Sequence, residues 1–137
     1  MADDAALANL VAAHDLGVLA TLKRDGRPQL SNINYHFDPD RRVARISITA
    51  DRAKARNLAR DPRASLHVST SDGWSYAVAE GDADLSAVAA DPGDAAVEEL
   101  VALYRDIRGE HPDWDDYRRA MVEDRRLVIR LRVGRLY

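Results

Sequence analysis

GVLATLKRDGRPQLSNINYHFDPDRRVARISITA, residues Gly17 to Ala50, decides the architecture of this chain. Over Gly17–Lys23, Val18, Ala20 and Leu22 alternate with Leu19 and Thr21, a period of two that predicts a strand. Arg24-Asp25-Gly26-Arg27-Pro28 is a turn with Asp-Gly as its hairpin element. A second strand is expected over Gln29–Phe37, and Asp38-Pro39-Asp40-Arg41 turns the chain again. The third strand, Val43–Ala50, sets Ala44, Ile46, Ile48 and Ala50 on one face and Val43, Arg45, Ser47 and Thr49 on the other. Three strands joined by tight turns read as an antiparallel meander. Parallel strands need long crossovers, so a doubly wound parallel sheet is disfavoured.

Outward from this block, Asp3 or Asp4 is placed to cap a first helix bearing Leu7, Leu10, Val11 and His14, with Gly17 at its end. Downstream, Asp51 is expected to cap a short helix, Arg52–Arg60, which stops before Pro62. A fourth strand, Arg63–Thr70, turns at Asp72-Gly73 into a fifth, Trp74–Leu85, where Gly81 points to a bulge or barrel bend. Two helices follow. In Asp94–Arg108 the residues Val97, Leu100, Val101, Tyr104 and Ile107 keep helical spacing, and Gly109 is a C-terminal cap. In Asp113–Asp124, Trp114, Tyr117 and Met121 share a face. The last strand is expected over Leu127–Val133. The expectation is a mainly β fold with α decorations: a six-stranded antiparallel barrel in one domain covering residues 1–137.

Composition narrows the function. The chain carries a formal charge of -3, so no global field favours nucleic acid or membrane. It has no cysteine, which removes disulfides, thiolate nucleophiles and Cys-based metal sites. The apolar runs are too short to span a membrane, and Met1-Ala2-Asp3-Asp4 is acidic where a signal peptide is basic, so a cytoplasmic protein is expected. His14, His36, His67 and His111 lack metal-ligand spacing, and no metal is expected. Asp3-Asp4, Glu98-Glu99 and Asp115-Asp116 read as solvated helix surface. No Gly-rich dinucleotide fingerprint, phosphate loop or nucleophile elbow occurs. Catalytic side chains are therefore not identifiable, which suits a protein whose cofactor carries the reaction.

Three segments hold the remaining signal. Ser47-Ile48-Thr49 ends a strand with two hydroxyls on one face, and the chain then opens a helix with Arg52 and Lys54 in its first turn. A helix start is already electropositive, so cations there work against the dipole unless an anion sits on it. Hydroxyls, free amides and two cations make a phosphate cradle; Arg52, Arg56 and Arg60 at i, i+4 spacing also fit a solvated basic helix, and both readings stay open. Gln29, Ser31 and Asn32 belong to a strand unusually rich in amides and hydroxyls, suited to the pyrimidine edge of a flavin-like ring or to a solvated sheet edge. Trp74-Ser75-Tyr76 sets two aromatics beside a turn, to flank a ring system or to pack in a core or dimer interface.

These segments are ordered among further matching pieces: Gly17-Val18-Leu19-Ala20-Thr21, Asp25-Gly26-Arg27-Pro28-Gln29-Leu30-Ser31-Asn32, Arg52-Ala53-Lys54-x-Arg56-Asn57-Leu58, Asp61-Pro62-Arg63-Ala64-Ser65, Asp72-Gly73-Trp74-Ser75-Tyr76 through Gly81, and Trp114-Asp115-Asp116-Tyr117-Arg118. Together they resemble the pyridoxamine 5'-phosphate oxidase-like split-barrel family, and within it the actinobacterial branch of F420 (deazaflavin)-dependent enzymes. The resemblance implies a homodimer with cofactor sites at the interface and a small-molecule substrate. It implies that Arg52 and Lys54 hold the cofactor phosphate, that Gln29, Ser31 and Asn32 line the ring, and that Ser47, Ile48 and Thr49 contact ring and ribityl chain. Arg56 and Asn57 are implied for the polyanionic tail, and Trp74, Ser75 and Tyr76 for a neighbouring loop of this or the partner subunit. The implied cofactor is coenzyme F420, with FMN as the alternative. The implied activity is hydride transfer to a tetrapyrrole, quinone or similar unsaturated acceptor, with non-catalytic flavin binding or haem binding as other outcomes. Arg130–Tyr137 lacks the substrate-binding pattern of true pyridoxamine-phosphate oxidases, so the resemblance does not extend to vitamin B6 oxidation.

Overall fold

A computed structural model describes residues 3–137; the reading of Met1 and Ala2 lies outside the described residues. The chain forms α1 (Asp4–Ala12), β1 (Leu16–Leu22), β2 (Pro28–Asn34), β3 (His36–Asp38), β4 (Val43–Thr49), α2 (Ala53–Arg60), β5 (Arg63–Ser69), β6 (Tyr76–Leu85), α3 (Ala95–Arg108), α4 (Trp114–Glu123) and β7 (Arg126–Leu136). The strands make one antiparallel sheet in the order β2-β1-β5-β6-β7-β4-β3, rolled into a half-barrel with four helices.

Seven strands stand where six were expected, because the second expected strand breaks at Tyr35. The side chain of Tyr35 is fully buried, its hydroxyl donates to the Val11 carbonyl at 2.6 Å, and its amide donates to the Asp15 carbonyl at 2.9 Å. The amide bond is the last in the β1–β2 register, and the hydroxyl bond anchors the ring on α1. Before it, β2 pairs with β1; after it, β3 pairs with β4. The expected meander is therefore two hairpins at the two edges of the sheet, joined by one residue. A single residue can bridge the edges only when the sheet curls back on itself.

The inward face of the curl carries the main core, including Leu19, Ile33, Phe37, Ile46, Leu66, Val68, Ile129 and Leu131, and α1 adds Leu7, Ala8 and Val11. A second cluster lies between α3, α4 and the outer side of β7, where Val97, Leu100, Leu103 and Met121 meet Val128. Leu127 and Ile129 face one core and Val128 the other, so β7 is apolar on both sides at its start.

Other boundaries shift for local reasons. Gly17 lies in β1 and does not end α1: a Cβ there would stand 2.9 Å from the His67 carbonyl of β5, so close strand approach demands glycine. Trp74 and Ser75 belong to the turn before β6, held by Thr70, whose hydroxyl meets the Ser75 amide at 3.3 Å. The final strand runs three residues past its expected end to Leu136 because β6 continues to pair with it. The expected bulge is present between Glu80 and Gly81. No helix among the described residues is long and apolar enough to cross a membrane.

At Gly81 a Cβ would lie 1.9 Å from the Arg132 carbonyl oxygen, a rigid backbone neighbour. Gly81→Ala is expected to destabilise the fold by about 1–3 kcal/mol, the usual cost of overpacking. Urea unfolding should show a lower midpoint at unchanged slope; an unchanged midpoint would show that the bulge has room to relax.

Candidate functional site

Three of the four helices start alike. Asp3, Asp94 and Asp113 each accept a first-turn amide proton of α1, α3 and α4. Helix α2 does not. Its N-cap is Arg52, which makes no capping bond, and its first turn has no acidic residue. Asp51, expected as the cap, instead accepts the Thr49 hydroxyl proton at 2.7 Å, and this bond holds its carboxyl below the usual carboxylate range. The start of α2 thus presents amides without a side-chain acceptor and two cations that oppose its dipole. Neither Arg52 nor Lys54 makes a side-chain hydrogen bond or ion pair among the described residues. Partial burial, and then the charge of Arg52, pushes the Lys54 amine below its ordinary value.

This helix start opens on a cleft of about 660 Å³, a volume in the range of cofactor sites. One wall comes from β2, β4 and α2. There Ser31 and Asn32 join Ser47, Ile48 and Thr49 above Arg52 and Lys54. The curl of the sheet causes this meeting, since β2 and β4 lie near opposite ends of its strand order. The other wall is helical: Leu103, Tyr104, Ile107 and Arg108 from α3, and Tyr117 and Met121 from α4. Asp124 and Arg126 close the end. Arg125 between them adopts φ 52°, the left-handed turn after a helix that usually takes glycine, and there the chain reverses from α4 into β7. Arg126 donates to the Ser47 hydroxyl at 3.3 Å, and its Nε stands 3.6 Å from an Asp124 oxygen. That Nε is buried without a hydrogen-bond acceptor among the described residues.

The expected site residues divide into three groups. Ser31, Asn32, Ser47, Ile48, Thr49, Arg52 and Lys54 share the cleft. Gln29, Arg56 and Asn57 do not; they line a separate cleft with Lys23, Arg24 and Arg60. Asn57 is 6% exposed and its Nδ2 donates to Thr21 at 3.0 Å and to Gln29 at 2.9 Å, so this pair ties α2 to the β1–β2 hairpin. Arg56 donates to the Asp51 carbonyl at 2.6 Å, across the α2 start. Trp74, Ser75 and Tyr76 line neither cleft. Trp74 is 88% exposed, and Tyr76 stacks on His67 with ring centres 5.4 Å apart. With Leu16 and Leu30 they leave large apolar side chains exposed at the β2-β1-β5-β6 end of the sheet.

The helical wall was not anticipated. The apolar stripe of α3 signals packing, and its last turn, Tyr104 to Arg108, lines the cleft while Ile107 also packs against the second core. Arg126 follows a helix and opens a strand, a position with no motif to mark it.

The cleft's donor set tests what fits it. Arg52, Lys54 and Arg126 line it against one carboxylate, Asp124, while Arg108 belongs to the helical wall. Free amides and hydroxyls lie beside them, and a buried N–H lacks an acceptor. A ligand rich in acceptors and carrying phosphate matches this set. FMN and coenzyme F420 both do, each with a carbonyl-bearing ring and a phosphate. No cluster of three or more metal-binding side chains occurs among the described residues.

The profile of the family described as Pyridoxamine 5'-phosphate oxidase matches residues 3–137. Among solved structures, the chain is similar to a conserved hypothetical protein from Mycobacterium tuberculosis, at 24% identity over 99% of this chain and 83% of that one, with a TM-score of 0.75. It is similar to a protein named F420 Reductase, at 26% identity over 94% of both chains and a TM-score of 0.65. A heme binding protein from Mycobacterium smegmatis is 24% identical over 99% of this chain and 54% of that one, with a TM-score of 0.68. The first and third of these show the fold alone.

An uncapped helix that keeps cations at its positive end gives up stability. Arg52→Ser supplies a cap and removes a misplaced charge, so the ligand-free protein is expected to gain about 1 kcal/mol. Thermal unfolding should rise by about 2–5 °C. A fall would show that Arg52 stabilises the fold in its own right.

Proposed function

The chain belongs to the pyridoxamine 5'-phosphate oxidase family, matched over residues 3–137, and from that premise we propose an oxidoreductase that uses reduced coenzyme F420 to reduce an unsaturated small molecule. Residues 1–137 act as one cofactor-binding domain. The observation that carries this reading is the start of α2, the one helix of four without a side-chain cap, where Arg52 and Lys54 face the cleft without partners among the described residues. A phosphate there would accept from the open amides and from both cations, and it would favour the charged form of Lys54 that burial disfavours. The likeness to the protein named F420 Reductase supports the deazaflavin over FMN.

When bound and reduced, the deazaflavin supplies a hydride. The protein binds, orients and shields. Ser31 and Asn32 meet the ring's polar edge, and Ser47 and Thr49 meet the ring and its sugar-alcohol chain. The Arg126 Nε supplies a buried donor at the end of the cleft. Fixed donors of this kind stabilise negative charge on the ring without reorganising. Arg56, with Lys23 and Arg24 in the second cleft, lies further along α2, where an anionic tail extending past Arg52 finds cations. Gln29 and Asn57 keep those elements in place through their mutual bond.

The protein works as a homodimer in this proposal. Leu16, Leu30 and Tyr76 crowd the outer face of neighbouring strands, with Trp74 at the adjoining turn. A second copy covering that face buries them and brings its Trp74–Tyr76 turn to the cleft edge, where β2 already contributes Ser31 and Asn32. Haem fits poorly, since neither His36 nor His67 lines the cleft.

Titration with coenzyme F420 tests the function: its fluorescence should change on binding, and reduced coenzyme should be consumed in the presence of a quinone or tetrapyrrole. Arg52→Ala with Lys54→Ala should weaken binding by about 2–4 kcal/mol, the loss of two charge-assisted contacts. Unchanged affinity would remove α2 from the site, and a yellow protein carrying FMN would reassign the cofactor. For the assembly, Leu30→Glu with Tyr76→Glu should convert a dimer to a monomer in sedimentation and lower cofactor affinity. A wild-type monomer that binds cofactor normally would defeat the dimer.

A further inference from the structure

The helical wall of the cleft has a chemistry of its own, and we infer that it binds the electron acceptor, selecting flat apolar molecules that carry a carboxylate, with Arg108 as the residue that reads the charge. This rests on the proposed use of Arg52 and Lys54 for the cofactor phosphate.

The charge argument comes first. Four arginines sit on α3 and α4. Arg105 reaches Glu110, Arg118 reaches Glu98 and Arg119 reaches Asp116. Arg108 reaches no acceptor among the described residues, and it is the one of the four that lines the cleft. Arg126 donates to Ser47 through one nitrogen, and its Nε is assigned to the cofactor. With Arg52 and Lys54 assigned to a phosphate, Arg108 is the cleft cation left over. Its planar fork suits a carboxylate better than a point charge does.

The shape argument is independent of charge. Leu103 and Ile107 are four residues apart on α3, as are Tyr104 and Arg108, so the apolar and the charged groups stand side by side on neighbouring helical rows. Met121 adds a buried, adaptable surface. The Tyr104 ring is clamped edge-on by three others, with centres 5.1 Å from His111, 5.7 Å from Trp114 and 5.0 Å from Tyr117. Tyr117 is itself pinned by donating to the Leu100 carbonyl at 3.0 Å. A ring fixed on three sides offers a preformed platform, and an aromatic partner loses little entropy in meeting it. The Tyr104 hydroxyl has no hydrogen-bond partner among the described residues and remains available to the acceptor.

Calorimetric titration of the full chain with naphthalene-2-carboxylate and with naphthalene-2-carboxamide, with and without coenzyme F420, separates these ideas. The carboxylate should bind wild type about tenfold more tightly than the amide. Arg108→Gln should abolish that preference, Arg108→Lys should restore part of it, and Tyr104→Ala should weaken both probes alike. Coenzyme F420 affinity should be the same for Arg108→Gln and wild type. Equal binding of the two probes to wild type, no binding of either, or a preference that survives Arg108→Gln would overturn the assignment. A loss of coenzyme affinity in Arg108→Gln would also overturn it, by giving Arg108 to the cofactor. If wild type discriminates between the probes but binds no coenzyme, the carboxylate subsite stands and the cofactor reading falls.

Discussion

Tyr35 is the point on which the architecture turns. Its phenol is wholly buried and donates its hydroxyl proton to α1, and its amide makes the last in-register bond to the chain just ahead of β1. The strand that enters as β2 leaves as β3 at the far edge of the sheet. Everything about the cleft follows from that one-residue crossing. β2 and β4 are distant in the pairing order, and they line one wall only because the sheet is bent far enough for Tyr35 to join its margins. The hydrogen bond from the ring also locks α1 over the join, where Leu7, Ala8 and Val11 fill the space inside the curl.

Electrostatics at the cleft oppose the rest of the molecule. The chain is acidic overall, yet Arg52 and Lys54 at the start of one helix line a cleft without an acceptor among the described residues. The other three helices show that this sequence has ready access to aspartate caps. Leaving α2 without one, with its nearby aspartate turned to Thr49, is a local conflict of the kind that functional sites retain and structural elements do not. A net negative surface with a positive recess also focuses the field inward, which draws anions to the cleft from solution.

Much of this was legible in the residues. Alternation over 17–50 gave the strand pairs and turns, the aspartates at 94 and 113 gave two helix starts, and Gly81 gave the bulge. The hydroxyl-rich end of β4 and the cations after it mark one wall of the cleft in the sequence itself. What the pattern hid was non-local. The run from Gln29 to Phe37 alternates through Tyr35 without interruption, and only the change of pairing partner from β1 to β4 at Tyr35, whose ring is anchored on Val11, breaks it. Gln29, expected at the ring, and Asn57, expected at the polyanionic tail, hydrogen-bond to each other, a pairing across 28 residues that no local pattern marks. Tyr104, Ile107 and Arg108 carried an ordinary amphipathic signature, and periodicity does not say which turn of a helix lines a cleft.

The second apolar cluster has a consequence for how this protein can change. The α3–α4 hairpin packs on itself and on β7, where Val128 is its anchor, and α3 also meets β3 and β4. Of its side chains that meet the cleft, Leu103 and Met121 belong to the second core and Ile107 and Tyr117 pack against it. Tyr104 and Arg108 meet the cleft without belonging to either core. Those two positions are thus exchangeable: drift there changes what the cleft wall presents, while the barrel beneath is spared any need to adapt.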